Sequence, residues 1–370
     1  MVDGLNQCNP IDETEKVDIR NDVGLMVFTS GTTGRPKPAM LTYGNALFKT
    51  AAAAQGYTMA SEDVTLASAP LCHITGMLMG LNIPVYSGHE CVLLTRFDPE
   101  TAISAIEMYK VNKMYTIAPM NAAILHHPGI ENRDLSSLEI NMATSFGMTI
   151  DEKMAEAWEK LTNGCLLFEA SYGLSETHTL DTMMPLDGIK YGTCGIATFE
   201  TEIRIVDLDT GKDLSPGEQG EVAIKSPGVF KGYLNRPEAT KKTLKDGWVF
   251  TGDIGTVDEQ GYLHFEGRVK EMIKSSGFSV FPEDVESLLS DHPAIYQSAV
   301  IGMPVTGKGE QVKAFIVLKP EHKNKVTEND LIEWSKKKMA AYKYPREIEF
   351  LDQLPVTSSG KVLRRLLKEK

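Results

Sequence analysis

Hydrophobic and polar positions divide the chain into regions of different texture. Residues 1 to about 20 are a polar lead-in, and "VGLMVF" (23–28) is then a short continuous apolar run that reads as a buried strand. "LTYGNALFKTAAAAQ" (41–55) reads as a helix. From there to about residue 190, short apolar strands ("VTLASAP", "ECVLLT", "MYTIAP", "EINMATSF") alternate with helical runs ("PETAISAIEMYKVN", "DEKMAEAWEKLTN"). That alternation predicts an α/β fold with a parallel sheet. Between about 192 and 270 the pattern becomes strands with turns, "TEIRIVD", "GEVAIKS", "WVFTGD" and "IGTVDEQGYLHFEGR", which predicts a small β-barrel-like unit with "DEQG" as a hairpin turn. Beyond Lys270 the pattern predicts helix, strand, strand, helix, strand: an α+β C-terminal domain of about 100 residues. The expected division is therefore 1–269 and 270–370.

A chain of 370 residues that is 42% hydrophobic can bury a core of this size. Its 38 Lys and Arg against 50 Asp and Glu, a net charge of −12, argue against a protein that coats nucleic acid or an anionic membrane. The five cysteines (Cys8, Cys72, Cys91, Cys165, Cys194) are scattered, without a C-x-x-C pair or a nearby histidine cluster, and read as reduced thiols of a cytoplasmic protein. The polar, acidic start is unlike a signal peptide, and no apolar run approaches the roughly 20 residues of a membrane span.

Two stretches compete as phosphate loops. "GMPVTGKG" (302–309) fits G-x-x-x-x-G-K, but Gly309 stands where a Ser or Thr should hold magnesium, and the stretch leads into another strand. It reads as an ordinary inter-strand loop. "VFTSGTTGRPKPAM" (27–40) fails the pattern differently, because Lys37 is clamped between Pro36 and Pro38 instead of opening a helix. It nonetheless gathers hydroxyls (Thr29, Ser30, Thr32, Thr33), glycines that let backbone amides approach a ligand (Gly31, Gly34) and one cation, Lys37. On this stretch alone, a plain polar loop remains an alternative.

The stretch has company. "SYGLSET" (171–177), "GEVAIKSPGVFKGY" (220–233), "GWVFTGDIG" (247–255), "GRVKEMIKSSGFSVFPEDVE" (267–286) and "PVTSSGKVLRR" (355–365) follow it. In this order and spacing the set resembles the core motifs of the adenylate-forming superfamily of acyl-CoA synthetases, peptide-synthetase adenylation domains and beetle luciferases, from about Asp22 to Arg365.

The resemblance implies activation of a carboxylic acid by ATP to an acyl-adenylate, with Mg2+, followed by transfer to CoA. It places Thr29 to Lys37 on the departing pyrophosphate. It places Ser171, Tyr172, Gly173 and Ser175 on the nucleotide, with Tyr172 stacked on adenine and Glu176 on the metal. Asp253 and Arg268 would contact the ribose or phosphate, and Lys361 the substrate carboxylate and α-phosphate. His73 and Gly147 would line the acyl pocket, Ser276, Gly277 and Phe278 the path of CoA, and Lys270 the hinge of a mobile C-terminal domain. Read singly, Tyr172 is a packing residue, Glu176 a solvated acid, Asp253 a turn former, Arg268 and Lys361 surface cations, and His73 a core histidine.

Three departures stand out. Pro38 replaces a glycine, Ser175 replaces a threonine, and "ATSFGMTI" lacks the usual small Gly-Ala-Pro run, which leaves the pocket shape open. The family also carries a sizeable α/β segment before the Thr-Ser-Gly loop. Its absence from this sequence predicts uncovered sheet edge, and hence a homodimer or a partner chain. The expected substrate is an uncharged acyl or aryl acid, a fatty acid first, because His73 stands near where amino-acid-activating relatives carry an Asp. A ligase that loads a carrier protein, and a truncated non-catalytic paralogue that binds nucleotide or a partner, are the alternatives.

Overall fold

The computed structural model describes residues 16–29, 36–146, 148–275, 278–305, 309–357 and 362–368. At its centre five parallel strands lie in the order Glu90–Leu93, Val64–Ala67, Lys113–Ile117, Ile140–Thr144, Leu166–Glu169. The inner strands are buried on both faces, with Leu66, Met114, Met142 and Ala143 all but inaccessible, so their sequences read as continuous apolar runs. Two of the covering helices carry their own start and stop signals. Asp98 accepts from the Thr101 amide and precedes Pro99–Tyr109, and Asp151 accepts from the Met154 amide and precedes Glu152–Thr162. Left-handed Lys110 and Asn163 end them. Ile103, Ile106 and Trp158 lock these helices onto the sheet.

The chain forms Val64–Ala67, steps outward to Glu90–Leu93, then returns to the other side for Lys113–Ile117. In such sheets the crevice beyond the carboxyl ends, where the order reverses, is the favoured ligand site. The functional residues below collect there.

One expectation fails. "VGLMVF" is not a buried strand: Val23–Thr29 lies at the edge of a three-stranded antiparallel sheet with Lys37–Thr42 and Gly232–Tyr233. Only Val27 is buried, while Met26 and Phe28 are exposed. An apolar run alone cannot report that only one face is covered. The pairing Thr29↔Lys37 also shows that the segment between these residues joins two antiparallel strands, with Lys37 opening a strand and not a helix.

The region from 202 to 268 is the expected antiparallel unit, five strands including Glu202–Val206, Gly220–Lys225, Trp248–Val257 and Leu263–Arg268. The Asp258 amide donates to the Tyr262 carbonyl, closing the "DEQG" hairpin. The last sheet pairs Ile295–Val305 with Gly309–Leu318, so the literal phosphate-loop match is a strand end and its hairpin; residues 306–308 lie outside the described set. Strands Ile273–Ser275 and Phe278–Val280, the parallel strand Glu347–Phe350 and helices Pro282–Ser290 and Glu328–Lys338 complete it. Cys72, Cys91, Cys165 and Cys194 are free thiols, and among the described residues no helix is long and apolar enough to cross a membrane.

Candidate active site

The segment after Leu166–Glu169 is pinned to itself. The Tyr172 amide donates to Thr182 Oγ1 (2.8 Å), and the Asp181 amide donates back to the Tyr172 carbonyl (2.8 Å). The Tyr172 hydroxyl then donates to Asp253 Oδ2 at 2.7 Å. Asp253 sits in Trp248–Val257 directly opposite Arg268, whose Nε lies 3.1 Å from Asp253 Oδ1. Asp253 is therefore a buried strand residue and not a turn former, and Arg268 is its ion-pair partner. Burial and the Asp253 charge hold the Tyr172 phenol well above its ordinary range, so the hydroxyl stays a donor.

A second cluster faces the first hairpin. Glu176, in the short 3-10 turn Ser175–Thr177, is 9% exposed and accepts from the Tyr233 hydroxyl at 2.5 Å. The Lys37 ammonium lies 4.0 Å above the centre of the Tyr233 ring, a cation–π contact. Burial lowers the Lys37 pKa, Glu176 works against that, and Lys270 and Lys242 add to it. Thr29 Oγ1, across the hairpin, is buried and has no hydrogen-bond partner among the described residues. Ser30, Gly31, Thr32, Thr33 and Gly34 lie outside the described residues.

This donor set fits a triphosphate with Mg2+. An orphaned hydroxyl and a half-buried ammonium suit phosphate oxygens, and Glu176 offers the hard oxygen that magnesium prefers. Among the described residues no group of three or more His, Cys, Asp or Glu could cage a metal. Magnesium commonly binds through one or two carboxylates plus phosphate and water.

Glu176 and Tyr172 are displayed by a strained turn. His178, Thr179 and Leu180 all have positive φ (58°, 56° and 54°), at a cost on the order of 1–2 kcal/mol per residue. The turn folds back so closely on Gly173 that a β-carbon there would lie 2.5 Å from the Leu180 nitrogen. Gly173→Ala is therefore expected to weaken AMP binding by roughly 10-fold, since the turn must move. Calorimetric titration with AMP checks this; unchanged affinity in a folded variant would refute it.

The acyl side is a cavity of about 320 Å³ at the carboxyl ends of the parallel strands, lined by His73, Phe97, Ile117, Met120, Phe146 and Val356 among others. His73 Nδ1 accepts from the Thr75 amide (3.3 Å), capping the short helix Ile74–Met77 and fixing the ring at the wall. The Tyr115 hydroxyl, also on this wall, donates to Thr144 Oγ1. Gly147 lies outside the described residues, and Phe146, from the stretch that lacks the usual small run, lines the wall. Val356 and Thr357 bring the C-terminal region to the cavity. Lys361 lies outside the described residues, between Thr357 and a Val362 that bridges back to Val356.

Beside the site, Glu169 is buried and accepts from both the amide and hydroxyl of Ser145. Burial raises its pKa from 4.5 to about 7, the Ser145 bonds opposing. The folded state thus holds a proton that the unfolded chain releases, and stability falls as pH rises from about 4.5 to 7, by roughly 3 kcal/mol in all. Glu169→Gln is expected to flatten that slope in thermal melts between pH 5 and 8. An unchanged slope would assign the titration elsewhere.

Lys270 is exposed in the turn after Leu263–Arg268. Phe278 is not at the cavity; it is exposed on Phe278–Val280, stacked on Tyr342 with ring centres 4.4 Å apart. Ser276 and Gly277 lie outside the described residues. Tyr233, Phe146 and Glu169 were not assigned roles by sequence reasoning. Tyr233 ends the quoted "GVFKGY" and was within reach of it; Phe146 and Glu169 needed the strand register.

The AMP-binding enzyme family model matches residues 4–234, and the AMP-binding enzyme C-terminal domain model matches 284–361. The chain belongs to the AMP-binding enzyme family. It is 36% identical over 357 residues to a long-chain-fatty-acid–CoA ligase of Bacillus subtilis (strain 168), covering 96% of this chain and 63% of that protein. It is 36% identical over 348 residues to a feruloyl-CoA synthase of an Amycolatopsis species, covering 93% and 69%. The chain thus spans about two thirds of these relatives. Among solved structures, the O-succinylbenzoate coenzyme A synthetase of Bacillus subtilis in complex with ATP and magnesium ion superposes with a TM-score of 0.85 at 30% identity, over 99% of this chain and 74% of that one. The parallel sheet, the antiparallel unit and the C-terminal α+β region of this AMP-binding enzyme are those of an adenylate-forming fold.

Proposed function

We propose that this AMP-binding enzyme is an AMP-forming acid:CoA ligase for an uncharged carboxylic acid, fatty or aromatic. The observation that carries the reading is convergence. The segment that follows Leu166–Glu169 carries both Tyr172, joined to Asp253 and Arg268, and Glu176, joined through Tyr233 to Lys37, while an apolar cavity with His73 on its wall opens at the carboxyl ends of the same sheet.

Asp253 accepts from the ribose hydroxyls, Arg268 holds it in place, and Lys37 with Thr29 meets the charge that develops on the leaving pyrophosphate. Mg2+ held at Glu176 would neutralise phosphate charge. Among the described residues the cavity lining includes no Asp, Glu, Lys or Arg, which supports an acid without a second charged group. Its volume of about 320 Å³ lies toward the lower end of ligand pockets. CoA would follow by way of Ser276, Gly277 and Phe278 once the region beyond the hinge has turned.

The hinge at Lys270, between units 1–269 and 270–370, is supported by the anchors on either side of it. Arg268 is tied to Asp253, Glu271 is tied to Arg364 at 2.6 Å, and only Val269 and Lys270 lie between.

Acid-dependent exchange of pyrophosphate into ATP, across short-chain, fatty and aromatic acids, tests the reading. Exchange with at least one uncharged acid is expected; none with any acid would leave a non-catalytic nucleotide binder. Comparing CoA with a phosphopantetheinyl carrier protein then identifies the acceptor. Phe146→Ala is expected to shift kcat/KM toward bulkier or longer acids by roughly 10-fold, which the same panel measures. An unchanged order of preference would remove Phe146 from the specificity wall.

A further inference from the structure

We propose that a buried ion pair, Lys49–Asp181, is a positioning device that holds the left-handed turn His178–Leu180 wound so that Tyr172 and Glu176 meet nucleotide and metal. This rests on the nucleotide site proposed above.

Lys49 lies in the middle of the helix Tyr43–Gly56, where an apolar residue would be the ordinary choice, and its side chain is 0% exposed, as is that of Asp181. Its ammonium lies 2.7 Å from Asp181 Oδ1 and donates to the Leu180 carbonyl at 2.9 Å. The other Asp181 oxygen accepts from the Thr177 hydroxyl. Thr177 is the neighbour of Glu176, and the Asp181 amide donates to the Tyr172 carbonyl. One ion pair therefore reaches Tyr172 through one hydrogen bond, and Glu176 through one hydrogen bond and one covalent step.

The turn needs such an anchor. Its three consecutive residues have positive φ, and the His178 ring is fully buried with neither nitrogen hydrogen-bonded. Strained backbone of this kind persists only where its surroundings over-determine it. The helix carrying Lys49 is itself held: the Thr42–Asn45 capping box closes its start, and the Asn45 amide group donates to the Pro227 carbonyl at 2.7 Å. At Gly228 a β-carbon would lie 2.3 Å from Lys49 Cε, so the lysine stem fills its slot. Apolar residues of like volume commonly match a buried ion pair in stability. What they cannot supply is directional attachment to Leu180 and Thr177.

The test is calorimetric titration of the full chain with AMP, and with ATP in the presence and absence of Mg2+, well below the melting temperature. Lys49→Met/Asp181→Leu removes both charges together and is expected to weaken AMP binding by about 10-fold and to erase most of the gain in ATP affinity from Mg2+. Lys49→Arg, which keeps the charge, is expected to stay within about 3-fold of the unmodified chain. A merely structural pair would lower the melting temperature and leave the Mg2+ gain intact. A folded double variant that binds AMP within 2-fold of the unmodified chain overturns the proposal. Should the double variant fail to fold, Thr177→Val decides, since it keeps the ion pair and cuts its link to the Glu176 turn. A 3-fold or larger loss supports the proposal; a smaller one overturns it. An unmodified chain that binds no nucleotide would instead refute the site proposed under the preceding heading.

Discussion

Replacing Lys361 with alanine is expected to slow acid-dependent pyrophosphate exchange by roughly 10²- to 10³-fold, the usual loss when one charge-stabilising donor is removed from a desolvated site. Thioester formation from a preformed acyl-adenylate is expected to fall less than about 10-fold, because on the proposed hinge Lys361 meets the carboxylate and α-phosphate in the first step and is turned away in the second. The described flanks support that division. Val356 and Thr357 line the acyl cavity near His73, Val362 bridges back to Val356, and the Leu363 amide donates to the Pro355 carbonyl at 2.8 Å. Both half-reactions can be followed separately, by exchange of labelled pyrophosphate and by CoA consumption from synthetic adenylate. Equal loss in both would contradict the role.

Glu176→Gln is expected to lower kcat for adenylation by roughly 10²-fold and to raise the Mg2+ concentration needed for half-maximal rate. The substitution isolates charge, since a glutamine oxygen can still accept from Tyr233. It should also move the pH profile. Burial already lowers the Lys37 pKa and the Glu176 charge raises it, so removing that charge lowers it further. Activity that needs the Lys37 ammonium declines as pH rises through that pKa, and in the variant the alkaline decline begins at lower pH. Unchanged Mg2+ dependence would take the metal away from Glu176, and an unmoved alkaline limb would uncouple it from Lys37.

The legible parts of this protein were those whose signals are local. The runs "PETAISAIEMYKVN" and "DEKMAEAWEKLTN" announced their helices, the βα alternation announced the parallel sheet, and "DEQG" announced its hairpin. Tyr172, Glu176, Asp253 and Arg268 were recognisable because they stand in ordered motifs, and the fold brings them into two adjoining clusters. Illegible features depend on what lies across a gap in sequence. "VGLMVF" looks buried until its pairing shows a bare face. Lys49 looks like a solvated helix lysine until Asp181, 132 residues on, is seen beside it. Phe146 and Glu169 matter only through the register that sets Ala143 against Glu169.

Arg364 gathers three carboxylates, Glu271, Glu283 and Glu286, at 2.6, 3.2 and 2.8 Å. One of them directly follows the proposed pivot, and the guanidinium itself lies three positions after Lys361. On the proposed hinge, these pairs clamp the stretch around Arg364 to the residues just beyond the pivot, as a brace stiffens a lever near its fulcrum. A stiff lever delivers its tip to one place after each swing, so the fidelity with which Lys361 re-enters the site would be set at Arg364 and the ease of the swing at Val269 and Lys270. Loosening the clamp would leave the pivot free to turn yet scatter where the lysine arrives.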